Sequence, residues 1–268
     1  MTGWNFIKSH PDTILKVELL LFIIVSSSFF NSPSLRASFY VKLKMKDLDN
    51  EKKLAAKEAV KYLKDNQIVG LGSGSSATHA ILEIGELVKK GLKITGVSTS
   101  SKSEELAKSL GIPTVDISSV SSIDVTIDGA DEFTSDLNLI KGGGAALLKE
   151  KVVASLTKEE IIIADSSKKV ELLGKFTIPV EVIKYASKYM SSQIVLLGGK
   201  GEIRLVEGEP LLTEEGNYII DADFGLIADP AYLAARLSQI AGVVEHGLFI
   251  KLAARVIMGN NDSTVTFS

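Results

Sequence analysis

Cysteine is absent from the 268 residues. That excludes disulfides, thiolate nucleophiles, redox pairs and cysteine-ligated zinc. Histidine is scarce as well: His10, His79 and His246 are scattered, which argues against a histidine metal cluster. An excess of one charge is also missing. The chain has 30 Lys and Arg against 33 Asp and Glu, for a net charge of −3 and a pI near 5.8. Such a balance gives no electrostatic reason to expect a nucleic-acid partner. The apolar run Leu19 to Val25, with Lys16 and Glu18 at its edge, falls far short of the roughly 20 residues of a membrane-spanning helix. Carboxylates, lysines, hydroxyls and the backbone are what remain for chemistry.

What is present is ordinary globular material, 45% hydrophobic and 24% charged. The length suits one large domain or two modest ones, either able to bury a core without staples. The segment before Met45 stands apart, with the only tryptophan, Trp4, and five of the ten phenylalanines. Lys8 and Lys16 ahead of a short apolar stretch fit a targeting segment. A start assigned too early, with the protein beginning at Met45, fits better, because nothing downstream looks secreted. Residues 1–44 are therefore set apart as an extension, and a cytoplasmic protein is expected.

From residue 66 strand and helix patterns alternate. Ile68 to Leu71, Leu92 to Val97, Ile123 to Ile127 and Ile161 to Ala164 read as strands, and Ala77 to Val88, Glu104 to Leu110 and Ala145 to Leu156 as helices. The alternation predicts a parallel sheet with helices on both faces, a Rossmann-like α/β domain over 45–174. Over 175–249 the order becomes β-α-β-β-α-β, the ferredoxin-like α+β arrangement. Residues 250–268 are expected to return to the first domain.

Four strings concentrate chemistry. Gly72-Ser73-Gly74-Ser75-Ser76 lies between a strand and a helix, where glycines and helix N–H groups can cradle a phosphate. A plain glycine–serine turn is the bland alternative. Gly72-x-Gly74-x-x-Ala77 also fits a relaxed dinucleotide fingerprint. The acidic residue that fingerprint requires after the second strand is missing until Glu104, and no Gly-Lys-Ser/Thr supports a Walker loop. Asp128-Gly129-Ala130-Asp131-Glu132 follows a strand, the position for acid–base work or sugar hydroxyls, or else a solvated turn; magnesium is a weaker option. Lys141-Gly142-Gly143-Gly144 precedes a helix carrying Glu150, which taken alone reads as a solvated residue between two lysines. Lys168 closes Ala164-Asp165-Ser166-Ser167-Lys168 at another strand end.

These strings, in this order, resemble ribose-5-phosphate isomerase, type A. Gly174-Lys175-Phe176, Pro179-Val180-Glu181-Val182 and Gly242-Val243-Val244 extend the similarity, which runs from about Asn50 to Phe249. Ser73 stands where the family commonly has threonine, and Ile250 to Ser268 follows the family pattern poorly. The resemblance implies interconversion of ribose 5-phosphate and ribulose 5-phosphate in the non-oxidative pentose phosphate pathway. It implies an enediolate intermediate, no metal or other cofactor, and a homodimer or homotetramer. By motif, Glu150 is the base between C1 and C2, Lys141 stabilises the enediolate, and Asp128 with Asp131 handles the hydroxyls and ring opening. Ser73, Gly74, Ser75, Ser76 and Lys168 hold substrate, chiefly its phosphate, with Lys52 a weaker candidate. Gly129, Ala130, Gly142, Gly143 and Gly144 complete the binding set. A non-catalytic sugar-phosphate sensor and a nicotinamide-dependent dehydrogenase are the rival readings.

Overall fold

A computed structural model describes residues 47–268; the readings made for residues 1–44 lie outside the described residues. Asp47 opens helix α1 (Leu48–Ala59) by accepting the Asn50 N–H at 3.0 Å, and Asp49 and Glu51 in the first turn suit the helix dipole. Strand β1 (Gln67–Leu71) leads into α2 (Gly74–Lys89), and β2 (Ile94–Ser98) into α3 (Ser101–Ser109), where Ser100 and Ser103 cap each other reciprocally. Strand β3 (Ile123–Gly129) is followed by α4 (Leu147–Leu156) and β4 (Thr157–Ala164). Next come β5 (Ile178–Val182), α5 (Ser187–Leu196), β6 (Lys200–Ile203), β7 (Tyr218–Asp223), α6 (Pro230–Ser238) and β8 (Val243–His246). The chain ends in β9 (Ala253–Asn260) and β10 (Ser263–Phe267).

The large sheet has the order β10-β9-β4-β3-β1-β2, parallel except for the edge strand β10. Alternation along β4 explains its two covered faces. Ile161 and Ile163 pack with residues of α1 and α2, while Ile162 and Ala164 join Ala154 of α4 and Phe249 on the other side. Each fully buried isoleucine contributes about 1.5–3 kcal/mol. The small sheet has the order β8-β5-β7-β6, antiparallel throughout. A Rossmann-like parallel sheet joined to a smaller ferredoxin-like α+β sheet is thus the architecture.

Besides shifts at element ends, the structure has strands that the sequence pattern does not mark: β9, β10 and a small antiparallel sheet of Glu132–Phe133, Leu139–Ile140 and Leu248–Phe249. Helix α4 starts at Leu147 rather than Ala145, because Ala145 sits at φ +61°, outside helical backbone space. Helix α2 starts earlier, at Gly74 rather than Ala77, so the glycine loop runs into its first turn. At the C-terminus β9 pairs with β4 and β10 with β9, and buried Glu51 ties the β9–β10 turn to the turn after β4 by accepting the N–H groups of Asn261 and Ser166, each at 2.7 Å.

In an open parallel sheet ligands settle beyond the carboxyl ends of strands, where neighbouring connections diverge. Here β1 connects onward to β2 on one side, while adjacent β3 leads to β4 on the other. The carboxyl ends of β1 and β3 carry the Gly72 to Ser76 string and Asp128 to Asp131.

Candidate active site

A cleft of about 480 Å³ opens at that point. One wall is the start of α2, with Ser73, Gly74, Ser75 and Ser76; the second is Gly129, Ala130 and Asp131; the third is Lys141 to Gly144 with Glu150. Lys168, on a short 3₁₀ turn after β4, and Lys52, on α1, line the same cleft. Four strings separated by up to about a hundred residues therefore meet in one place. Asp128 alone among the expected residues does not line the cleft: it lies behind the wall with 1% of its surface exposed.

From there Asp128 organises its neighbours. Its Oδ1 accepts the N–H groups of Ser73 at 3.0 Å and Gly129 at 2.7 Å, and its Oδ2 pairs with Lys141 Nζ at 3.0 Å. A side chain at residue 72 would collide with it, since a Cβ there would lie 2.2 Å from Asp128 Oδ1. Gly72 is therefore required by close approach rather than by a turn.

Lys141 Nζ also donates to the Gly129 carbonyl and lies 3.3 Å from Glu150 Oε2. The latter is an ion pair without hydrogen-bond alignment, and Glu150 Oε2 is buried with no hydrogen-bond partner. A buried carboxylate oxygen held by an ion pair alone, with no hydrogen bond, is costly and calls for a role. Burial pushes the Glu150 carboxyl up to about 8; Lys141 pulls against that rise and Asp128 adds to it. Burial alone would depress the Lys141 ammonium, but Asp128, Glu150 and Glu160 outweigh it and hold Lys141 above the ordinary lysine range. The result is a carboxyl poised near neutrality beside a permanent cation. That pair can remove a proton next to a carbonyl and stabilise the oxyanion that follows.

The other end of the cleft is cationic and hydroxyl-rich. Lys52 Nζ donates to Ser75 Oγ at 3.1 Å and lies 3.9 Å from Asp165 Oδ2. The Ser73 hydroxyl turns aside, bonding Thr99 Oγ1 and Ser100 Oγ, each at 2.7 Å. Asp131 Oδ2 accepts the Gly143 N–H at 2.7 Å and so joins the second wall to the third.

Three further sets of residues escaped sequence reasoning. Thr99, Ser100 and Lys102 line the cleft beyond β2; their signal is the rule that places ligands at the carboxyl ends of strands. Glu160, on β4, is buried among Asp128, Lys141 and Glu150, and burial, reinforced by Asp128, pushes it well above the carboxylate range. Its signal was a charged residue just before an apolar strand run. Leu211 to Glu215 of the small domain cross the cleft mouth, where Glu214 accepts from Ser101 N at 2.9 Å and Lys149 Nζ at 2.6 Å. Glu104, the first carboxylate after β2, pairs with Lys108 at 2.6 Å on the surface of α3. His79 pairs with Asp49 at 3.0 Å outside the cleft. Among the described residues no cluster of three or more His, Asp or Glu side chains has the arrangement of a metal site.

Known proteins resemble the chain along most of its length. Residues 95–263 match the family model for ribose 5-phosphate isomerase A (phosphoriboisomerase A). A ribose-5-phosphate isomerase A from Streptococcus agalactiae is 48% identical over 216 residues, covering 80% of this chain and 97% of that protein. Among solved structures, ribose 5-phosphate isomerase A from Methanocaldococcus jannaschii is 39% identical, with a TM-score of 0.77, covering 80% of this chain and 96% of that one. A D-ribose-5-phosphate isomerase in complex with phospho-erythronic acid, also 39% identical, has a TM-score of 0.80 and covers 82% of this chain and 98% of the other. With its fold, its four strings in one cleft and these relatives in agreement, the chain belongs to the ribose 5-phosphate isomerase A family.

Proposed function

We propose that this chain interconverts D-ribose 5-phosphate and D-ribulose 5-phosphate through an enediolate, without a metal, in the non-oxidative pentose phosphate pathway. The observation that carries the proposal is the buried pair of Glu150 and Lys141, 3.3 Å apart on one wall of a cleft whose other end holds Ser75, Lys52 and Lys168. Glu150 takes the proton from C2 of the open-chain aldose and returns it to C1, while a proton passes from O2 to O1 so that C2 becomes the carbonyl. Lys141 faces the oxygen that becomes negative, doing by charge what a Lewis acid would do. Asp131, at the cleft wall, handles the sugar hydroxyls and ring opening, with buried Asp128 holding Lys141 and the backbone behind it. The phosphate lies against the start of α2, with Ser75, Ser76 and Lys168.

Phospho-erythronic acid, the compound bound in one relative, pairs a carboxylate with a phosphate. An enediolate phosphate carries its charges in the same way, and Lys141 and Lys168 supply matching cations. A phosphorylated sugar as substrate supports a cytoplasmic setting; no helix among the described residues is long and apolar enough to cross a membrane. The family resemblance supports self-association into a homodimer or homotetramer.

Proton exchange is the test. Purified protein, treated with chelator and given ribose 5-phosphate in deuterated water, should form ribulose 5-phosphate with deuterium entering at the exchanged carbon. Binding of the sugar phosphate without product or exchange would instead favour a sensor.

A further inference from the structure

Arg204 lies in the small domain just after β6 and is not among the residues lining the cleft. Its Nε and Nη2 take both oxygens of Asp221, on β7, at 2.9 and 2.5 Å. The remaining Nη1 donates to the carbonyls of Gly142 and Gly143, each at 3.0 Å. A planar guanidinium can serve both sides at once because its donors are fixed in a fork. Asp221 balances its charge, so the loop gains donors without a second uncompensated cation near Lys141.

The loop needs such support. Three consecutive glycines lose much backbone freedom on folding, Gly142 sits at φ +100°, and α4 begins without a side-chain cap at Ala146. Its peptide planes are held from both sides. The Gly142 carbonyl meets Arg204 while the Gly143 N–H meets Asp131. The Gly143 carbonyl also meets Arg204, and a trans peptide then turns the Gly144 N–H the opposite way. Gly144 lines the cleft.

We infer that Arg204, held by Asp221, is a positioning residue for the isomerisation: from the small domain it locks the glycine loop between Lys141 and Glu150 in its working conformation. This rests on the proposed roles of Lys141, Asp131 and the glycine loop. Arg204 touches no substrate, so its loss should slow turnover without weakening the phosphate end of the cleft.

The experiment compares Arg204→Met, Arg204→Lys and Asp221→Asn with the parent and with Glu150→Gln. Misplacing reacting groups by about 1 Å costs about 100-fold, so Arg204→Met should lower kcat about 10- to 100-fold. Its affinity for inorganic phosphate should stay within about twofold of the parent, and amides of the 141–146 segment should exchange hydrogen faster. Arg204→Lys should recover only part of the rate, because one ammonium cannot serve Asp221 and two carbonyls together. Asp221→Asn should show a smaller loss and serves where Arg204→Met does not fold. Parental kcat and loop exchange in the folded variants would overturn the inference. So would parallel loss of phosphate affinity, melting temperature and kcat in all three variants, which marks a merely structural residue. Full turnover in Glu150→Gln overturns the proposed site and this inference with it, whereas an inactive Glu150→Gln beside a fully active Arg204→Met overturns the inference alone.

Discussion

Two glycine-rich loops line the same cleft and are held differently. In the first, Gly72 to Ser76, β1 ends, Ser73 is extended at φ −120°, ψ 159°, and α2 begins without a side-chain cap; adjacent β3 ties its entry, Ile127 taking the Gly72 N–H at 3.1 Å and Asp128 the Ser73 N–H at 3.0 Å. The N–H groups at the start of α2 and its helix dipole then come from the local backbone shape. The second, Lys141 to Ala146, has no local cap and is fixed from a distance, by the Gly247 carbonyl at 2.9 Å from Lys141 N, by Asp131 and by Arg204. Binding an anion needs only backbone in a local shape. Proton transfer needs two side chains set against each other, and here that geometry is delegated to long-range contacts.

The comparison breaks most sharply at Lys141. Replacing it with methionine should lower kcat about 10³-fold, the scale of losing one oxyanion donor, while KM for the sugar phosphate changes only a few-fold. Steady-state kinetics on folded protein decides this; a loss confined to KM would move Lys141 from the chemistry to binding. Some stability should go as well, because Asp128 loses its buried partner.

The next effect is on pH. Glu150 acts as base only when ionised, so kcat/KM, which follows the free enzyme, should climb with pH through a midpoint near 8 rather than in the ordinary carboxylate range. Stability moves the other way. A carboxyl raised in the folded state binds its proton more tightly there than in the unfolded chain, so its contribution is full below the ordinary value near 4.5 and fades as pH rises through about 8. Rate and melting profiles from pH 5 to 9 should therefore have opposite slopes in the part controlled by Glu150, and Glu150→Gln should remove that part of the melting slope. A rate profile flat down to pH 5 would contradict the assignment of Glu150 as the base.

At the phosphate end of the cleft, which Lys168 shares with the first loop, the expected change is in binding. Lys168→Ala removes one cation from the phosphate end and should raise KM about tenfold, with kcat within about twofold; charge-assisted hydrogen bonds are worth about 1.5–3 kcal/mol. Added salt should narrow the gap from the parent, since the lost interaction is partly screened already. A fall in kcat of the same size as the rise in KM would mean that phosphate binding and proton transfer are not divided as the two loops suggest.

The same division governs what could be read from the sequence. Periodicity located the helices and most strands of the two sheets because each signal is local, though it left β9 and β10 unmarked, and the first loop could be placed between strand and helix for the same reason. Glu150 could not be read that way. Alone it resembles a solvated helix residue between Lys149 and Lys151, and only the family resemblance marked it. Its burial depends on Lys141, Asp128 and Glu160 arriving from three other elements. Arg204 left still less trace, as one arginine in a stretch that reads as the strand Glu202 to Val206 and whose loop partners lie 62 and 61 residues upstream. The start of α4 failed for a backbone reason: Ala145 is an excellent helix former, yet the loop holds it at positive φ.

The smallest effects separate the glycines of the first loop from one another. At Gly72 a Cβ would lie 2.2 Å from Asp128 Oδ1 and 2.6 Å from its Cα, so backbone as well as side chain must move. Gly72→Ala should cost about 1–3 kcal/mol of stability, as overpacking does, and should lower kcat by displacing the residue that holds Lys141. Gly74 has nothing within 4 Å of its Cβ position, but its φ of +87° is unfavourable for an L-residue. Gly74→Ala should therefore cost only about 1–2 kcal/mol of backbone strain and leave kcat near that of the parent, because no catalytic neighbour is pushed. Thermal melts and kinetics on the two variants together test whether Gly72 is there for packing and Gly74 for conformation. Equal damage to kcat would show that the start of α2 and the Lys141 cluster move as one body.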